Sequence, residues 1–159
     1  MKTVVNAAAR WGAAIGLIVL LVLAGAKNKL SNADFGEVSE AVTGSADLTA
    51  VVLSDERHVR RYYGLDAADF EGLVLYAPAS NMDAEELLLV KLRDPAQAES
   101  VKAAAERRIE AQKKSFDGYG VEQYALLTDH CVLEVRGNWV LFVVHPDAAS
   151  IRRAFLQAL

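Results

Sequence analysis

Three histidines and one cysteine, His58, His130, Cys131 and His145, are the side chains best suited to hold a metal or to pair a nucleophile with a base. His130 and Cys131 are adjacent in a strand-like run, where successive side chains leave opposite faces, so they do not ligate one ion together. No two histidines stand at the ligand spacing of a helix or a hairpin. A Cys131–His145 pair fails on register. If Gly137-Asn138 is a two-residue turn, Arg136 pairs with Trp139, and His145 then faces His130. Cys131 also points inward, which makes it a core residue. The adjacent carboxylates, Glu85-Glu86 and the Asp66/Asp69 pair, sit at element ends and read as a solvated rim rather than a desolvated acid–base pair. There is no G-x-S-x-G elbow, and Gly118-Tyr119-Gly120 lacks the length and the preceding strand of a phosphate loop. No catalytic, cofactor-binding or metal-ligating residue is therefore assigned, and no cofactor is expected.

What remains is a surface. Alternation and the same register place Tyr76, Lys91, His130, Trp139, Leu141 and His145 on the outward face of a sheet. Aromatics mixed with a few charges on such a face suit a peptide, a glycan or another domain. The competing reading is that helices over residues 33–43 and 55–63 cover it.

The elements that would position these residues are legible from period and punctuation. Ser31 or Asn32 can cap a helix over 33–43 with Phe35, Val38 and Val42 on one face. Leu48 and Val51–Leu53 form a short apolar stretch of uncertain type. Ser54-Asp55 opens a second helix, with Val59, Tyr62 and Tyr63 on one side and Gly64 as its stop. Leu73–Ala77 and Leu87–Arg93 read as strands. Asp94-Pro95-Ala96-Gln97 supplies a capping residue, a first-turn proline and a capping-box glutamine for a helix reaching about Phe116. After Asp117-Gly118-Tyr119-Gly120 come a short helix over 121–128, strands His130–Arg136 and Trp139–His145, and a last helix with Ile151, Ala154, Phe155 and Ala158 inward. The segments 73–116 and 130–158 each run strand, strand, helix. The expectation is an α+β domain: a four-stranded antiparallel sheet from two β-β-α units, helices on one side, preceded by an N-terminal hydrophobic helix.

The chain has 159 residues, about one domain. Lys2 and Arg10 are the only charges in residues 1–26, so of 17 basic residues 15 lie beyond, against all 21 acidic ones, a net charge of −6. Such a domain lacks the basic surface that nucleic acid requires. A lone cysteine excludes an intramolecular disulfide. Residues 11–26, Trp-Gly-Ala-Ala-Ile-Gly-Leu-Ile-Val-Leu-Leu-Val-Leu-Ala-Gly-Ala, carry no charge. They read as a retained membrane anchor bracketed by Arg10 and by Lys27 and Lys29, or alternatively as a signal peptide cut after Ala26. Either way residues 34–159 form an extracytoplasmic domain, behind a polar linker over 27–33.

Tyr63-Gly64-Leu65-Asp66 precedes the first strand pair, and Ala84-Glu85-Glu86-Leu87-Leu88-Leu89-Val90-Lys91 leads to Asp94. Arg108, Gln112 and Phe116 follow on the long helix, then Tyr119, then Gly137-Asn138-Trp139-Val140. In this order the chain resembles the DUF4358 family of bacterial secreted or membrane-tethered proteins, over roughly residues 34–156. The resemblance implies a bacterial source and a cell-envelope location. It implies no activity, so no catalytic residues carry over, and the lipobox cysteine of many members is missing here. The leading expectation is a non-catalytic, membrane-tethered module that binds a protein or a wall component. The alternatives are a small envelope hydrolase or transferase whose site is assembled only in three dimensions, and an accessory subunit of a membrane complex, its anchor packing through Gly12 and Gly16.

Overall fold

In the computed structural model, residues 29–159 are described. The expected anchor or signal over residues 1–26 lies outside them. Among the described residues no helix is long and apolar enough to cross a membrane.

Five strands form one antiparallel sheet: β1 (Val51–Leu53), β2 (Gly72–Pro78), β3 (Glu86–Lys91), β4 (Cys131–Arg136) and β5 (Trp139–Val144), in the order β1-β2-β3-β5-β4. The expected four strands are all present. The fifth is the short apolar stretch Val51–Leu53, whose three residues were too few to show a period. It pairs with Tyr76–Pro78 as the edge. Hairpin register is as the turn chemistry requires: Arg136 faces Trp139, and the next pairs follow to Cys131 and Val144. At the turn only Gly137 takes positive φ, at 56°.

The helices are α1 (Phe35–Thr43), α2 (Glu56–Tyr63), α3 (Ala98–Phe116), α4 (Val121–Asp129) and α5 (Ala148–Ala158). Asp34, not Ser31 or Asn32, caps α1, accepting from the Glu37 N–H. Asp55 caps α2, and Gly64 closes it in the left-handed conformation. The capping box at Asp94 and Gln97 forms as the tetrapeptide demands, over a 3-10 turn that leads into α3.

The helices do not lie on one side of the sheet. Leu88, Val90, Val140, Phe142 and Val144 face a core closed by α2, α3 and α4, with Val59, Tyr63, Val101, Ala105 and Phe116. Leu87, Leu89, Trp139, Leu141 and Val143 face a second core closed by α1 and α5, with Val38, Val42, Ile151 and Phe155. The two β-β-α units are thus alike in sequence order but send their helices to opposite faces. The sequence carries the reason. β3 and β5 are apolar at nearly every position, and a strand apolar on both faces needs cover on both. All six residues of each are buried.

Candidate functional site

The proposed outward face is where the second core sits. Trp139 and Leu141 are fully buried, and Lys91 and His145 are nearly so. Trp139 stacks on Phe35 of α1 at 5.9 Å between centroids, and Lys91 Nζ lies 5.4 Å over the same indole. Lys91 Nζ also donates to the Ala33 carbonyl at 2.9 Å and pairs with Glu71 at 2.7 Å. His145 bridges loops: Nδ1 accepts the Asp147 N–H, and Nε2 lies 2.9 Å from the Asp47 carbonyl. Tyr76 is half-buried against the same core, and His130 alone is exposed. These six residues do not form an open surface. The cover comes from α1, as weighed from the sequence, together with α5 in place of the helix over 55–63.

A different cluster emerges on the other face. Glu86 is not part of a solvated rim; it is 1% exposed. Its Oε1 accepts the Tyr63 phenol at 2.6 Å, and Oε2 accepts Arg108 Nε at 2.9 Å and Gln112 Nε2 at 3.1 Å. Arg108 Nη2 adds a second contact at 2.9 Å, so the guanidinium grips the carboxylate through two nitrogens. The guanidinium also lies 4.2 Å over the Tyr62 ring. Burial pushes the Glu86 carboxyl above its ordinary range, while Arg108, Tyr63 and Gln112 pull it back. Burial, reinforced by the neighbouring carboxylate, holds the Tyr63 phenol well above its usual value.

The sequence places these groups by simple periods. Glu86 shares a β3 face with Leu88 and Val90. Arg108 and Gln112 continue the helical spacing of Val101 and Ala105. Alternation along β3 was the signal that would have turned Glu86 inward; its neighbour Glu85, one residue outside the strand, obscured it.

The cluster forms one wall of an open cleft of about 370 Å³, lined by Tyr62, Arg108, Gln112 and Phe116 and by Ser80, Asn81 and Asp83 from the β2–β3 connection. Phe116 is shared with two shallower recesses around Met82, Tyr119, Val121 and Tyr124. Those four side chains are exposed, Val121 at 79% and Met82 at 63%. Cleft and apolar lip adjoin around the buried Phe116 at the α3–α4 corner. Ala84 N–H donates to Gln123 Oε1 at 2.9 Å, which fastens the start of β3 to α4 and fixes the corner.

The remaining chemistry-capable residues stay apart. Among the described residues no three His, Cys, Asp or Glu side chains gather as a metal set. His58 is held by its helix cap Asp55, at 2.6 Å. Cys131 is half-buried, and burial raises its thiol. His130 and His145 meet through the backbone, His145 N–H to His130 carbonyl, as the register requires.

A family model for a domain of unknown function, DUF4358, matches residues 44–145. The chain belongs to the DUF4358 family. The match contains the whole Tyr63–Glu86–Arg108–Gln112 cluster and the apolar lip, while α1 and α5 fall outside it. No curated protein and no solved structure matches this DUF4358 chain.

Proposed function

We propose that this DUF4358 domain is a non-catalytic recognition module of the cell envelope, tethered through residues 11–26, that binds a protein or wall component at the α3–α4 corner. The observation that carries this reading is the exposed lip of Met82, Tyr119, Val121 and Tyr124, which adjoins a polar cleft. Two exposed tyrosines, a methionine and a valine around adjoining recesses are the composition of an interface centre, with Ser80, Asn81 and Asp83 as a polar rim.

The second reading, an envelope hydrolase or transferase, draws on Glu86: a buried carboxylate beside a cleft, its proton affinity raised by burial. The geometry weighs against it. General acid–base work needs an oxygen free to meet substrate. Both oxygens of Glu86 are already taken by Tyr63, Arg108 and Gln112. The cluster serves as a strut that ties α2, β3 and α3 together beneath the recognition surface.

The test is photo-crosslinking in cells. A photoreactive phenylalanine replaces Val121 at the lip or Arg153 on α5, both exposed. The expected result is one dominant adduct from position 121 and none from position 153. Equal labelling from both, or none from position 121, removes the α3–α4 corner as the recognition surface.

A further inference from the structure

The segment before α1 is not a free linker. Ser31 N–H donates to Asn138 Oδ1 at 2.9 Å, and Asn138 Nδ2 returns to the Ser31 carbonyl at 3.2 Å. Ser31 Oγ donates to the Leu159 carbonyl at 3.1 Å, and Trp139 Nε1 reaches the Ser31 carbonyl at 3.4 Å. Lys91 Nζ holds the Ala33 carbonyl. The fit over the hairpin turn is close: a Cβ on Gly137 would run into the Lys29 carbonyl oxygen. Residues 29–33 form a strap locked across the Gly137-Asn138 turn and the end of α5.

This strap lies at the opposite end of the sheet from the candidate site. β3 runs from Glu86, in the buried cluster, to Lys91, under the strap. β5 runs the other way, from Trp139 to Val144. Six residues of strand separate the two ends by about 17 Å. α3 follows β3 back, so its last turn at Phe116 and the lip beyond it sit at the far end.

Resting on the tethered reading of residues 11–26, we infer that the strap seats the hairpin end of the domain on the lipid headgroup layer and points the α3–α4 corner away from it. The charge-free run ends at Ala26, and four residues, Lys27 to Leu30, stand between it and Ser31, the first residue that hydrogen bonds hold to the domain. Five peptide steps span at most about 17 Å, less than a domain diameter, which keeps the hairpin end close to the anchor. Lys29 and Arg136 line the same recess beside the strap; Arg136 is paired with Glu134 at 2.8 Å, so the positive charge offered to the headgroups at this end is chiefly that of Lys29.

The experiment uses the full chain in phosphatidylethanolamine–phosphatidylglycerol vesicles carrying a headgroup nitroxide quencher. Cys131→Ala removes the native thiol; then Gln157→Cys, near the strap, or Glu122→Cys, near the lip, carries a fluorophore. Both positions are exposed. Quenching several-fold stronger at position 157 than at 122 is expected. Inserting about 20 Gly/Ser residues after Asn28, with an r.m.s. reach of about 25 Å, should abolish the difference. If the protein floats with the vesicles but both labels quench alike, or the insertion changes nothing, the orientation is overturned while the tether stands. If the chain does not float with the vesicles, the tether itself fails and the orientation with it.

Discussion

Glu86 and Arg108 are unequal partners in what their loss does. Arg108→Met leaves a buried carboxylate without its counter-charge and is expected to destabilise by about 3–5 kcal/mol. Replacing both, as Glu86→Leu with Arg108→Met, should recover part of that loss, since no charge is then left buried alone, although the Tyr63 hydroxyl and the Gln112 amide lose their acceptor. Urea unfolding of the two single variants and the double variant measures the coupling. Tyr63→Phe removes a hydrogen bond to a charged acceptor and should cost about 1.5–3 kcal/mol. Because the Tyr63 phenol is held well above its ordinary value, the same variant should leave the phenolate absorbance of the folded chain at pH 10 unchanged. Gln112→Met should be nearly neutral. Its amide gives Glu86 one bond, but its buried Oε1 has no partner among the described residues.

The pH dependence of this cluster follows from the direction of the Glu86 shift. Its carboxyl binds a proton more tightly in the folded chain than in the unfolded one, where the value is near 4.5. Its contribution to stability is therefore fully present below that value and is lost as pH rises through the folded value. The stability gap between the native chain and Glu86→Gln should shrink as pH is raised from about 4 towards neutrality. Asp55 and Asp66 act in the opposite sense. Both are held below the ordinary range, Asp55 chiefly by the Arg57 and His58 side chains and Asp66 chiefly by the Ala68 N–H, so what they contribute is lost as pH falls. A gap that widens with rising pH would contradict the burial-driven reading of Glu86.

Among the secondary-structure elements, what was legible in the sequence and what was not divides along a physical line. Caps and turns are local chemistry. The Asp94-Pro95-Ala96-Gln97 box, the Gly64 stop and the Gly137-Asn138 hairpin are all where their residue types put them. Asp94→Ala is accordingly expected to cost about 1 kcal/mol in thermal unfolding. The element-level misreadings concern cover, which is not local. The outward face containing Trp139 and Lys91 alternates like an open surface. It is closed by α1 and α5, which arrive from the two ends of the described chain. Glu86 was misjudged for the converse reason: its three partners lie 22 to 26 residues away, and no window of sequence shows them together. Gly137→Ala tests where cover and turn meet. The positive φ and the Lys29 carbonyl both oppose a Cβ, so the variant should lose strap protection in hydrogen exchange at Ser31 before it loses the sheet.

At the scale of the whole molecule, the two faces of the sheet and its two ends have separate tasks. One face carries the buried ion pair and builds the cleft; the other carries Trp139 and anchors the strap. One end is fixed by the strap, and the other ends in the exposed lip. A recognition surface at this lip is one that is occupied in the cell. Hydroxyl-radical footprinting suits the question, because methionine and tyrosine are among the side chains radicals oxidise most readily. Met82, Tyr119 and Tyr124 would be compared between the purified full chain and the same protein in intact membranes. Strong protection of all three is expected in membranes, with Leu53 and Val52 on the edge strand oxidised equally in both samples. Equal oxidation of Met82, Tyr119 and Tyr124 in the two samples would contradict it.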